Sequence, residues 1–114
     1  MKINIASNEI IHFIGIGGIG MSGLAQIMNN MKFTIQGSDL SHNKNTDRLI
    51  KKGMKVFFGH HQKNLNKATM VVISSAVKKN NIELISAKQK KLPVFKRGEM
   101  LANIVALKKN IVVT

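Results

Sequence analysis

The sequence predicts an α/β fold: an open parallel sheet of about five strands with helices on both faces. Two observations carry that expectation. Short β-branched runs alternate with stretches whose apolar residues recur at helical spacing. The first run leads directly into a glycine-rich turn, and the turn leads directly into an amphipathic pattern. Right-handed strand twist then requires right-handed crossovers, which bury the strands from both sides.

Each element follows from its own residues. Ile10 to Ile14 reads as a fully buried strand ended by Gly15. Met21, Leu24, Ala25 and Met28 fall at i, i+3, i+4 and i+7, one apolar face of a helix, with Ser22, Gln26 and Asn29 opposite. Residues 33–36 form the second strand, stopped by Gly37. A polar stretch precedes a short helix through Leu49 and Ile50, capped by Gly53. Residues 56–58 form the third strand, and 59–69 a polar loop with one helical turn at 63–65. Met70 to Ile73 is the next buried strand. Asn80 and Glu83 have capping-box spacing ahead of a helix that reaches Lys90. Residues 92–95 form the fifth strand, with Pro93 tolerated at its start. The last helix covers 99–107, with Leu101, Ile104, Val105 and Lys108 on one side. Residues 111–114 are expected to begin another strand, cut at a domain boundary.

Composition narrows the chemistry. The 114 residues are 44% hydrophobic and 20% charged, which describes one globular domain. There is no cysteine, so disulfides, thiolate metal sites and cysteine nucleophiles are excluded. No apolar run approaches the ~18 residues of a membrane span, and the N-terminus lacks a secretory pattern, so the expected location is the cytoplasm. Eighteen basic residues against five acidic ones give a net charge of +13. All the basic residues except Arg48 and Arg97 are lysines. They fall in scattered pairs without interleaved aromatics, so a solvated surface is expected rather than a nucleic-acid or membrane interface.

The strongest motif is Gly15-Ile16-Gly17-Gly18-Ile19-Gly20, a G-x-G-x-x-G run between strand and helix. Gly15 permits the turn, Gly17 is expected to let a phosphate approach the backbone, and Gly20 to let the helix pack closely. The exposed amides and the helix dipole together favour an anion. Asp39, beyond the second strand, stands where ribose hydroxyls are bound in Rossmann-like units. Ser74, Ser75 and Ala76 follow a strand at its carboxyl end, where ligands sit in open sheets. His60 and His61 are loop histidines near the same end and make a poor zinc site. His12 is expected to be a satisfied core or edge residue, and Met21, Met28 and Met31 to fill the core. No nucleophile–base pair, carboxylate pair or magnesium cluster is legible, and no metal site is expected.

The run from Ile11 to Ala25, with Gly37-Ser38-Asp39, Val72 to Ala76 and Arg97 to Leu101, resembles the bacterial Mur ligases over almost the whole chain. The resemblance implies the first domain, residues 1–114, of a three-domain enzyme of peptidoglycan precursor synthesis. In it, the Gly15 to Gly20 backbone holds the diphosphate of UDP-N-acetylmuramate. Ser38 and Asp39 lie near the ribose or uracil, and Ser74, Ser75 and Ala76 line the uridine side. ATP, magnesium and L-alanine belong to domains outside this chain, which needs no cofactor and carries no catalytic residue of its own. Gly98 departs from the larger residue many relatives have there, and the lysine content is not a family trait. Two other readings use the same loop: an NAD(P)-dependent oxidoreductase domain and a non-enzymatic nucleotide-sensing domain.

Overall fold

The computed structural model describes residues 5–6 and 8–113, with side chains as far as Lys108. The elements run β1 (Ile10–Ile14), α1 (Ile19–Asn30), β2 (Thr34–Asp39), α2 (Lys44–Lys51) and β3 (Lys55–Phe58). A 3-10 turn (Gln62–Leu65), β4 (Met70–Ile73), α3 (Ile82–Gln89), β5 (Val94–Lys96) and α4 (Arg97–Val113) complete them. All strand pairs are parallel, in the order β3-β2-β1-β4-β5. The chain therefore winds outward from β1 in both directions, and the crevice between β1 and β4 is the switch point of the sheet. Among the described residues no helix is long and apolar enough to cross a membrane.

Strand alternation sorts the core onto two faces. Ile11 and Phe13 of β1, Ile35 of β2 and Val72 of β4 pack with Met21, Leu24 and Met28 of α1, Leu49 of α2 and Met100 and Ile104 of α4. On the other face Ile14 and Val71 pack with Leu65, Leu84 and Ala87. Each large side chain so buried stabilises the fold by about 1.5–3 kcal/mol. The second face also buries His12, Gln36, Ser38 and Glu83. His12 is thus a core residue with partners, and the three methionines of the α1 region do fill the core.

Several elements differ from the sequence expectation. β2 does not stop at Gly37: Gly37 and Ser38 continue it, paired with both β1 and β3, and Asp39 extends it against β3. The glycine is there because a Cβ would lie 2.6 Å from Ile16 Cδ1 and 2.7 Å from the Phe13 carbonyl oxygen. Ser22 is buried within α1, its hydroxyl donating to the Ile19 carbonyl. The N-cap of α3 is Asn81, not Asn80, and its side chain accepts from the amides of Glu83 and Leu84. Glu83, in the first turn, is buried. β5 begins at Val94, leaving Pro93 outside, where only its carbonyl is used. α4 starts at Arg97 and turns Met100 and Ile104 to the core, leaving Val105 exposed. Residues 111–113 continue α4 and form no strand, because a strand needs a neighbour's hydrogen bonds and a helix supplies its own. Thr114 lies outside the described residues.

Candidate nucleotide site

A cavity of about 590 Å³ opens at the carboxyl ends of the strands. Each strand delivers a residue to it: Ile14 at the end of β1 and Gly15 after it, Asp39 and Leu40 at β2, His60 beyond β3, Ser74 and Ala76 after β4, and Arg97 after β5. Gly18, Ile19, Gly20 and Met21 at the start of α1 form one wall, and Val77, Lys78, Asn80 and Asn81 before α3 form another.

The glycine loop uses most of its own donors. The amides of Gly15 and Ile16 both donate to the Ser38 carbonyl, and the Gly18 amide donates to that of Gly15. The Gly17 amide donates to Asp39 Oδ2 at 2.7 Å. The amides of Ile19, Gly20 and Met21 remain as the first-turn donors that a helix leaves unsatisfied. Gly18, at the N-cap, makes no side-chain cap, and no acid stands in the first turn. Gly15 has φ +81°, which a β-carbon would strain.

A Cβ on Gly17 would meet Asp39 Oδ2 at 2.7 Å and Asn43 Nδ2 and Thr46 Cγ2 at 2.9 Å. The space a side chain at Gly17 would need is thus taken up by Asp39 and the start of α2. A Cβ on Gly20 would meet the Arg97 side chain at 3.1 Å, so this glycine makes room for a guanidinium over the first turn of α1. Arg97 forms no ion pair among the described residues. Two positive features, a helix N-terminus and an arginine, thus face one space and would favour an anion between them.

Beneath the cavity lies a buried polar cluster. Glu83 Oε1 accepts from His12 Nε2 at 2.7 Å and from Ser38 Oγ at 2.6 Å. Its Oε2 accepts from Asn64 Nδ2 at 2.7 Å and from the His61 amide at 3.0 Å. Gln36 Nε2 donates to His12 Nδ1 and to the Asn64 carbonyl, which fixes the proton of His12 on Nε2. Burial pushes the Glu83 carboxyl up, but the hydrogen bonds from His12, Ser38 and Asn64 outweigh it. They hold Glu83 at about 2.

Of the residues singled out from sequence, Gly15, Gly18, Ile19, Gly20, Asp39, Ser74, Ala76 and His60 come together on the cavity. Ile16 and Gly17 are buried behind it, and Ser38 sits in the polar cluster. Ser75 is not on the cavity wall. His61 instead caps the 3-10 turn, its Nδ1 accepting from the Lys63 amide. Sequence reasoning missed Arg97 and Lys78. The carboxyl-end rule, applied to β5 as it was to β4, would have found Arg97.

The sequence model of the family described as Mur ligase family, catalytic domain, matches residues 10–109. The chain belongs to the Mur ligase family. Mur ligase relatives match at high identity. The UDP-N-acetylmuramate–L-alanine ligase of Pelagibacter ubique is 66% identical over all 114 residues, which make up 25% of that protein. The enzyme of the same name from Methylobacterium radiotolerans is 53% identical over 98 residues, 86% of this chain and 21% of that protein. In three dimensions, the UDP-N-acetylmuramate-alanine ligase of Thermotoga maritima superposes with a TM-score of 0.83 at 30% identity. The match covers 87% of this chain and 23% of that one. The chain spans about a quarter or less of the length of these curated relatives.

Proposed function

We propose that this chain is the domain that binds the UDP part of UDP-N-acetylmuramate. It serves a cytoplasmic, ATP-dependent ligase that joins L-alanine to the muramyl carboxylate during peptidoglycan precursor synthesis. The observation that carries this reading is the uncapped start of α1 with the Arg97 side chain packed over its first turn at the cavity. In this reading the diphosphate accepts from the amides of Ile19, Gly20 and Met21 and from the Arg97 guanidinium, with Lys78 adding charge from the opposite wall. Asp39, already accepting from the amides of Gly17 and Leu40, has lone pairs left for a ribose hydroxyl. The base lies toward His60, Ser74 and Val77.

We expect ATP and magnesium to bind outside these residues. The sequence has no G-x-x-x-x-G-K-[ST] run, and among the described residues no three His, Asp or Glu side chains cluster to hold a metal. The role of this chain is to bind and orient, and we expect no amide formation or ATP hydrolysis from it alone.

Isothermal titration at about 0.15 M salt, where nonspecific attraction to the lysines is screened, tests the reading. UDP-N-acetylmuramate is expected to bind and NAD to give no saturable heat. Arg97→Ala is expected to weaken UDP-N-acetylmuramate by about tenfold, the loss of one charge-assisted contact. NAD binding without UDP-sugar binding would replace this reading with the oxidoreductase one.

A further inference from the structure

His60 is the one histidine on the cavity wall among the described residues, and its chemistry is set from below. Ser38 Oγ has a single hydrogen. It points to Glu83 Oε1 at 2.6 Å, and an ionised carboxylate only accepts. Ser38 Oγ also lies 2.9 Å from His60 Nδ1. With its hydrogen committed to Glu83, the hydroxyl must accept there, so the proton of a neutral His60 sits on Nδ1. The Glu83 Oε2 atom, 3.6 Å from the same nitrogen, favours a proton in that place. Nε2 is then the bare acceptor of the ring. No protein donor among the described residues reaches it.

We propose that Ser38 and Glu83 are positioning residues that lock His60 in the Nδ1–H tautomer, so that Nε2 offers the cavity an acceptor selective for a pyrimidine with a ring N–H. Uracil carries a donor at N3, whereas cytosine carries a lone pair there, which would face the lone pair of Nε2. This rests on the nucleotide-binding reading above and adds the source of its base preference. The four donors on Glu83 leave it no freedom to turn away, which keeps Ser38 pointed at it.

Two measurements on this chain test the inference separately from the reading beneath it. The first needs no ligand. Two-bond proton–nitrogen correlation spectra of ¹⁵N-labelled protein at about pH 8, above the ordinary histidine range, report the tautomer. His60 is expected as Nδ1–H in the wild type, and Ser38→Ala is expected to shift it toward Nε2–H. Wild-type His60 protonated on Nε2, or a mixture unchanged by Ser38→Ala, overturns the lock. The second compares UDP, CDP and 3-methyl-UDP by titration. UDP is expected to bind about tenfold or more tighter than the other two, and Ser38→Ala to shrink that ratio to about threefold or less. Equal affinities in the wild type overturn the selection. If none of the three binds, the nucleotide reading itself fails, and the spectra still decide the lock.

Discussion

Glu83→Ala is expected to lose about 3–5 kcal/mol of unfolding free energy, read from urea denaturation at neutral pH. The carboxylate is fully buried and accepts from His12 Nε2, Ser38 Oγ, Asn64 Nδ2 and the His61 amide. Removing it leaves four donors facing a hole, two of them on the fully buried His12 and Ser38. The same carboxylate makes stability depend on pH, and the sign is fixed. Its value is lowered from 4.5 to about 2 in the fold. Its contribution is therefore complete above about pH 4.5 and falls away as the pH drops toward 2. The amount at stake is on the order of 3 kcal/mol. Glu83→Gln lacks this titration, so the stability gap between wild type and Glu83→Gln is expected to narrow across that window. A loss below about 1 kcal/mol for the alanine variant, with a gap that ignores pH, would mean the cluster is loose and solvated.

Gly37→Ala is expected to cost about 3 kcal/mol, although it adds one methyl group. The new Cβ would lie 2.6–2.7 Å from Ile16 Cδ1 and Cβ and 2.7 Å from the Phe13 carbonyl oxygen. The carbonyl belongs to the central strand, and Ile16 is pinned by its own amide to the Ser38 carbonyl. Ile16 Cδ1 could swing aside, but Ile16 Cβ and the Phe13 carbonyl oxygen move only with the backbone, so relief requires β1 and β2 to separate. Gly23→Ala is the control. Its Cβ would meet nothing within 4 Å on α1, and helix propensity favours alanine there by about 0.5–1 kcal/mol. Thermal denaturation of the two variants is expected to move in opposite directions. Equal small effects would show that β2 tolerates side chains at this position.

The contrast between these glycines shows what the sequence carries. Strand and helix alternation, the glycine turn after β1 and the cap at Gly53 are local signals, and each survives in the structure. The reasons for particular glycines are tertiary. Gly17 makes room for Asp39, Asn43 and Thr46, Gly20 for Arg97 and Gly37 for Ile16. None of these neighbours is visible from spacing. Glu83 has capping-box spacing with Asn80, which suggests a solvated acid. The cap is Asn81, and Glu83, in the first turn, is buried against a histidine 71 residues away in sequence. The cavity itself was legible in part because ligands collect at strand carboxyl ends. Lys78 escaped because lysine pairs across the chain hide which cation reaches the cavity, and Arg97 because the carboxyl-end rule was not carried on to β5.

The central claim is that the start of α1 holds a diphosphate. Proton–nitrogen correlation spectra during titration with UDP-N-acetylmuramate test it most directly. The account predicts saturable shifts centred on the amides of Ile19, Gly20 and Met21. The amides of Gly15, Ile16 and Gly17 should respond less, because each already donates within the protein. Saturable shifts centred instead on the lysine-lined cleft of Lys55, Lys63 and Lys67 beside β3, with the start of α1 unmoved, would contradict it.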